Sequence, residues 1–269
     1  MPMLNDFTSL LLIATAFSVL LMLVTWVVAW RINNLGLVDM AWSLGFLPVA
    51  VFFAVAGPGD PERRALMAFM AGLWSLRLGL HVAVRVGRAH PEEDVRYRKL
   101  RAEWGARLKS KTFWFFEFQG VLIGALAIVF LLPCLDGRPG ITPLEWAGVA
   151  LWALALAGET AADRQLGQFR GRPENKGRIC QSGWWNHSRH PNYFFEWLVW
   201  VGFFLFAWGA PWGCFTVLCP GVMLFFLLRV TGIPLTEEMS LKSKGEAYRE
   251  YQRTTSAFVP WFKKTGSGE

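Results

Sequence analysis

The stretch 178–196 holds the densest group of side chains that could do chemistry. Basic and hydroxyl residues crowd in front of Pro191, and an amide, a phenol and a carboxylate follow it. Because proline is favoured in the first turn of a helix, a helix is predicted to begin at Pro191. The free N–H groups and positive dipole end of such a helix suit a phosphate. The residues concerned are Arg178, His187, Ser188, Arg189, His190, Asn192, Tyr193 and Glu196.

The sequence predicts no metal site. His187 and His190 lack carboxylate or cysteine partners at the spacing that metal ligands require. The cysteines also lack metal-binding spacing, and three of them lie in or beside apolar stretches, so we predict that they are reduced and structural, without zinc or a disulfide. They are Cys134, Cys180, Cys214 and Cys219.

Charged groups at one membrane level indicate a polar cavity. Asp163 and Arg229 end predicted membrane spans and Glu196 begins another. Any one of them could form an ordinary ion pair, but several converging from separate helices fit a cavity better. Asp39, near the start of the second span, has two interpretations. It is either a proton donor or substrate anchor, or a helix-start carboxylate that the helix dipole stabilises.

Arg77, His81 and Arg85 recur every four residues and so share one face of a helix. This cationic stripe has no acidic counterpart nearby in the sequence, which favours an anionic substrate or phosphate as its ligand. Structural pairing of Arg77, and snorkelling of Arg85 from the helix end, are the alternatives.

The elements that must position these residues are membrane helices. Apolar residues make up 54% of the chain and charged residues 17%, and several stretches of about 18 residues or more carry almost no charge. Helices satisfy their own backbone hydrogen bonds in lipid, and no alternating barrel pattern is present. We predict an all-α integral membrane protein, a single domain over 1–269 that forms a seven-transmembrane bundle. The spans are 8–30, 37–57, 65–85, 118–135, 142–162, 193–209 and 211–230, the last two joined by a tight turn around Gly209, Ala210 and Pro211, and a tail follows at 231–269.

The basic residues set the predicted topology. They concentrate in the loops 86–117 and 163–192 and in the tail, whereas the opposite loops hold only Arg63, Arg64 and Arg138. The positive-inside rule then explains the formal charge of +7 without a nucleic-acid partner. It places the three basic segments and the cavity opening on the cytoplasmic side and the N-terminus outside. Residues 8–29 form a retained first helix rather than a signal peptide, because no basic residue precedes them and no cleavage site follows. A bacterial inner membrane is the expected location.

Several motifs resemble those of the steroid 5α-reductase superfamily. The similarity extends over nearly the whole chain and is greatest to a bacterial branch of uncharacterised membrane proteins, the domain of unknown function DUF1295. The tail motif is less specific, because isoprenylcysteine methyltransferases share a similar one. The motifs lie in 39–45, 188–196, 231–238, 248–251 and 257–261.

The resemblance implies a cofactor site. In that superfamily seven helices enclose NADPH, and hydride is added to the β-carbon of a conjugated enone while an acidic group polarises the carbonyl. His81 and Arg85 match a His-x-x-x-Arg of the family. The implied cofactor-binding residues are Asp163, Arg170, Arg178, Asn192, Glu196 and Arg229, with His190 and Tyr193 beside Asn192.

The chain also departs from the steroid enzymes. Their tyrosine beside the span-three histidine is Val82 here, and their C-terminal histidine and tyrosine are Ile233 and Glu237. Asp39 and Glu196 are therefore the predicted catalytic carboxyl groups. The departures leave the substrate open between a steroid and another lipophilic enone.

Two enzyme classes follow as expectations. The first is an NADPH-dependent reductase of a membrane-soluble enone, favoured by Asn192, Glu196 and the number of arginines. The alternative is a membrane methyltransferase that uses S-adenosylmethionine, a cofactor without phosphates, to which the motif around His190 and Tyr193 is also suited. A transporter would need broken helices or inverted repeats, which the sequence does not contain.

Overall fold

A computed structural model describes the backbone of residues 2–263 and the side chains of residues 6–263. Within these residues the regular secondary structure is helical, as predicted. The α-helices are α1 (Pro2–Arg31), α2 (Leu37–Ala56), α3 (Pro61–Ala89), α4 (Val95–Trp104), α5 (Leu108–Leu126), α6 (Ile128–Leu135), α7 (Pro143–Arg170), α8 (Pro191–Ala207), α9 (Leu218–Phe225), α10 (Ile233–Lys244) and α11 (Glu246–Thr254). Short 3₁₀ turns lie in the loops, and a π-helical turn, Phe226–Val230, follows α9.

Five helical segments of the described chain are long and apolar enough to cross a membrane, which indicates a multi-pass membrane protein. They are Asp6–Arg31, Leu37–Ala56, Pro61–Ala89, Val95–Leu135 and Gly213–Lys244. These segments overlap the predicted first to fourth and seventh spans. The predicted fifth and sixth spans are also helical, as α7 and α8. However, α8 has only 17 residues, and α7 carries Glu145, Glu159 and Asp163, which lower its hydropathy. Seven crossings therefore stay a prediction.

The described chain forms two compact units. The first contains the residues up to Glu145 together with Ala207–Thr216, and the second contains Trp146–Phe206 and the residues from Val217 onward. The prediction of a single membrane domain is not decided by this division.

Small residues allow the helices of the first unit to approach closely. Gly120 and Gly124 form a G-x-x-x-G pattern on α5, which is typical of tightly packed membrane helices. A Cβ atom at Gly120 would lie 2.9 Å from the Ser18 carbonyl oxygen of α1, and one at Gly124 would collide with Thr15. A hydrogen bond joins helices α2 and α3, in which the Ser75 hydroxyl of α3 donates to the Ser43 carbonyl of α2 at 2.6 Å.

A buried arginine joins the start of α3 to the loop between α6 and α7. The Arg63 side chain, at the start of α3, has no exposure and its Nε donates to Glu145 Oε1 at 2.5 Å. Its two terminal nitrogens donate to the carbonyls of Asp136, Arg138 and Gly140. Arg63 was predicted only as an outside loop charge, and the structure shows that it organises the loop between α6 and α7.

In the second unit, α7 and α8 pack antiparallel through glycine contacts. A Cβ atom at Gly148 would lie 2.7 Å from the Phe206 backbone nitrogen, and one at Gly158 would lie 2.5 Å from the Phe195 ring. Residue numbers therefore rise along α7 as they fall along α8. This packing brings the end of α7 to the beginning of α8, where the predicted chemistry lies.

Candidate functional site

The centre of the candidate site is the pair Asn192 and Asp163. Asn192 is the second residue of α8, and its Nδ2 donates to Asp163 Oδ1 of α7 at 3.2 Å. Because Asp163 is an acceptor, this hydrogen bond fixes which end of the amide faces it. The Asn192 Oδ1 atom is buried and has no hydrogen-bond partner. Buried polar atoms are nearly always satisfied, so this oxygen is a natural acceptor for a ligand N–H group.

His190 belongs to a network centred on Glu237 of α10. Glu237 Oε1 accepts from Arg189 Nε at 2.6 Å and lies 3.3 Å from His190 Nε2. Gln252 donates to the other carboxylate oxygen at 2.8 Å. Burial lowers the pKa of His190, against the opposing effect of Glu237, so the imidazole is neutral near pH 7. This network joins the beginning of α8 to α10 and α11.

The loop between α7 and α8 is held in place by buried donors. The Trp185 indole donates to the Ala162 carbonyl at 2.8 Å. The buried Tyr251 hydroxyl of α11 donates to the carbonyls of Trp185 and Ser188. Burial raises the pKa of Tyr251, which stays protonated as this role requires. The residues before Asn192 therefore form a fixed wall rather than a loose loop.

Tyr193 and Glu196 extend the site along α8. The Tyr193 ring stacks on His190 with a centroid separation of 5.4 Å and an interplanar angle of 5°. Glu196, one helical turn after Asn192, is 7% exposed, and its Oε1 accepts from the Trp200 indole at 3.0 Å. Four of the predicted residues thus occupy the first turns of α8 or directly precede it.

The predicted arginines lie on the surface of the same unit. Arg170 ends α7, Arg178 lies in the loop, and Arg229 lies in the π-helical turn, and all three are exposed. Arg170 also acts on the Lys244 ammonium by charge repulsion, so the ends of α7 and α10 are neighbours. Two mutually repelling cations are stabilised by an anion between them. Lys244 was not among the residues predicted to bind the cofactor.

The predicted residues of the first unit form a separate ion-pair cluster. Asp39 lies in the first turn of α2. Its Oδ1 accepts from the Tyr97 hydroxyl at 2.6 Å, and its Oδ2 accepts from Arg96 at 2.7 Å and Arg85 at 3.3 Å. Asp39 is therefore tied to neighbouring side chains by two ion pairs and a hydrogen bond. These contacts favour the helix-start interpretation of Asp39.

The other two members of the cationic stripe also lie on α3. Arg77 is half-buried and His81 is exposed, and both interact with other residues. His81 and Arg85 therefore share an exposed surface of the first unit, whereas the spacing had predicted a shared face directed into the bundle or a polar cavity. Of the three, Arg85 contributes to the Asp39 cluster, and its side chain is 48% exposed.

Three residues of the second-unit network escaped the sequence analysis. Glu237 and Tyr251 were noted only as parts of a tail motif, and Arg189 only as one of several basic residues before Pro191. No local spacing links them to the beginning of α8, since Glu237 lies 48 residues from Arg189 and Tyr251 lies 66 residues from Trp185. A signal was available in the motif itself, because Glu237 and Tyr251 belong to the segments that carry the family resemblance.

Comparison with known proteins identifies the family. The model of the family described as "Protein of unknown function (DUF1295)" matches residues 25–255. The chain belongs to the DUF1295 family. An uncharacterized protein of Schizosaccharomyces pombe is similar to it, with 26% identity covering 88% of this chain and 76% of that protein. The matched range contains both the Asp39 cluster and the network around Glu237.

Proposed function

We propose that this DUF1295 protein is an NADPH-dependent membrane reductase that reduces a carbon–carbon double bond of a lipophilic enone. In this proposal the chain crosses the membrane seven times, with α7 and α8 as the fifth and sixth spans. The cofactor occupies a cavity that opens on the cytoplasmic side. The second unit supplies the residues that hold it, around the beginning of α8.

The unsatisfied Asn192 oxygen is the observation that carries the proposal. Asp163 holds the amide nitrogen, which leaves a fixed, buried acceptor one helical turn from Glu196. The carboxamide of a nicotinamide ring presents N–H donors of the kind this acceptor lacks. A buried acceptor that must be paired also discriminates strongly against ligands without a donor.

The exposed cations supply the phosphate contacts. Arg170, Arg178 and Arg229 belong to the same unit as Asn192, and Lys244 is an electrostatic neighbour of Arg170. Guanidinium groups bind phosphates in a bidentate manner, and their exposure leaves them accessible to a ligand from the aqueous side. Enough cations are present for a diphosphate together with the additional phosphate that distinguishes NADPH from NADH.

Each remaining residue has a positioning role. His190 is neutral and fixed by Glu237, so Tyr193, stacked on it, presents its ring in a defined orientation. Glu196 lies one helical turn after Asn192, and its carboxylate accepts a hydrogen bond from the Trp200 indole. NADPH, when bound, supplies the hydride. The apolar residues of α8 exclude water from the reacting groups, which prevents unproductive loss of the hydride.

Calorimetry on the purified full-length protein in detergent tests the proposal. Wild-type protein should bind NADPH more tightly than NADH. Asn192→Leu should weaken NADPH binding by roughly tenfold or more, because the donor of the cofactor loses its partner. Arg178→Ala should weaken it by about tenfold through the loss of one charge-assisted contact. Arg249→Ala, a change at another exposed arginine of this unit, serves as the control and should leave binding unchanged.

A thermal-shift comparison separates the reductase from the methyltransferase. NADPH should raise the unfolding temperature, and S-adenosylmethionine should not. Stabilisation by S-adenosylmethionine alone would reverse the assignment, because that cofactor brings no phosphate to the arginines.

A further inference from the structure

The C-terminal tail lines a cavity that contains none of the residues proposed to bind the cofactor. Its volume is about 430 Å³, and its lining combines Arg253, Thr255 and Ser256 with Val259, Trp261 and Phe262. Ligand pockets typically have volumes of this order. One side is therefore cationic and hydroxylic, and the other is apolar and aromatic.

The apolar side chains that line this cavity of the C-terminal tail are exposed. Trp261 is 67% exposed, Phe262 is 78% exposed and Val259 is 49% exposed. Their neighbour Phe258 instead packs inward, against Phe194 at a centroid separation of 5.6 Å. Since the same short stretch contains an inward ring and three outward apolar side chains, the outward set is not merely the edge of the core.

The tail is held rigidly despite its exposed side chains. The Trp261 backbone nitrogen donates to the His187 carbonyl at 2.9 Å, and the Arg189 nitrogen donates to the Ser256 carbonyl at 2.8 Å. The Ser188 hydroxyl donates to the Phe258 carbonyl at 2.8 Å. A preorganised surface loses little conformational entropy when it binds a partner.

The cavity lies beside the end of a candidate membrane span. Arg189, which also lines it, pairs with Glu237, and Glu237 belongs to the span Gly213–Lys244. Exposed tryptophan next to a span end is typical of the membrane interface. The neighbouring cations Arg253 and Lys263 complement an anionic headgroup.

We propose that this cavity binds an anionic phospholipid of the surrounding bilayer. The phosphate lies against Arg253 and the hydroxyls of Thr255 and Ser256, and the acyl chains run along Trp261 and Phe262. The Arg253 side chain is 74% exposed and pairs with Glu250, an exposed pair of the kind that contributes little stability. It is therefore available to a phosphate. This site does not depend on the proposed reductase activity.

Native mass spectrometry of the full chain in detergent tests the proposal, with phosphatidylglycerol and phosphatidylcholine of identical acyl chains as probes. Phosphatidylglycerol should bind more tightly, and Arg253→Ser should weaken its binding by about fivefold. The matched control is Arg249→Ser, because Arg249 is equally exposed on α11 and also pairs with a glutamate three residues before it. This control should leave binding unchanged.

A second variant tests the apolar half. Trp261→Ser with Phe262→Ser should weaken the binding of both lipids, while the unfolding temperature should stay close to that of the wild type because both side chains are exposed. Equal effects of Arg253→Ser and Arg249→Ser would overturn the proposal. So would equal affinity for the two lipids, or binding of soluble glycerol phosphate as tight as that of phosphatidylglycerol.

Discussion

At the scale of single residues, Tyr251 fixes the wall of the candidate site. Its buried hydroxyl serves two carbonyls, those of Trp185 and Ser188. Tyr251→Phe keeps the ring but leaves both carbonyls without this donor, which should cost about 1–3 kcal/mol of stability. Thermal and denaturant unfolding in detergent measure the loss. Ser243→Ala, which removes a hydroxyl that donates to a carbonyl at an exposed position, should have almost no effect; an equal loss in both variants would contradict the buried role of Tyr251.

His190 makes stability depend on pH in a defined direction. An unfolded histidine has a pKa near 6.5, and burial lowers the pKa of His190 in the folded state. Between these two pKa values the unfolded chain binds more protons, so this contribution to stability is present above about pH 6.5 and declines as the pH falls below it. The unfolding temperature of the wild type should therefore drop between pH 7.5 and 5.5 by more than that of His190→Gln. Parallel curves for the two proteins would show that His190 titrates normally.

At the scale of elements, the contact between α1 and α5 depends on Gly120. Gly120→Ala would place its methyl group 2.9 Å from the Ser18 carbonyl oxygen, and backbone cannot move aside as a flexible side chain can. Overpacking of this kind should cost about 1–3 kcal/mol. Gly221 in α9 provides the control, because a Cβ atom there would meet nothing within 4 Å. Gly221→Ala should leave the unfolding temperature unchanged or raise it slightly, since alanine favours helix.

Hydropathy predicted the helices well where burial in lipid decides the structure. The second span was predicted at 37–57 and is helical over Leu37–Ala56. Helix α7 continues beyond its apolar stretch and was predicted too short, because it runs to Arg170 rather than to residue 162. Helix α4 was missed, because its residues were assigned to a loop. In both cases charged residues remove the hydropathy signal, while side-chain caps and local contacts, such as the Asp94 cap of α4, stabilise the helix.

The candidate site was predictable only in part, for a related reason. The start of α8 at Pro191 follows from the helix preference of proline, and Asn192, His190 and Glu196 could be selected around it. The pairing of Asn192 with Asp163 spans 29 residues, and that of His190 with Glu237 spans 47. Such pairings arise from tertiary packing, which no local spacing encodes. The surroundings of Asp39 could not be predicted for the same reason, because its partners Arg96 and Tyr97 lie on α4, which was not predicted. The catalytic role of Asp39 stays a prediction.

At the scale of the whole molecule, the number of crossings decides where the candidate site lies. Because five and seven are both odd numbers, either topology places the two ends of the chain on opposite sides of the membrane. They differ in the region between α6 and α9. With seven crossings the loop between α7 and α8 is cytoplasmic, and with five it lies on the same outer side as the loop between α6 and α7. Only the cytoplasmic placement gives Arg178 access to NADPH.

Cysteine labelling in intact cells distinguishes these topologies. In a background without Cys134, Cys180, Cys214 and Cys219, we expect Gly137→Cys to react with a membrane-impermeant maleimide from outside. Gly137 suits this purpose because an added side chain there meets nothing within 4 Å. Lys176→Cys, at an exposed position of the loop between α7 and α8, should react only after the cells are permeabilised. Ser243→Cys, in the basic end of α10, should behave like Lys176→Cys because both lie on the side that the positive-inside rule assigns to the cytoplasm. Labelling of Lys176→Cys from outside would remove α7 and α8 from the membrane spans and place Arg170 and Arg178 where no NADPH is present.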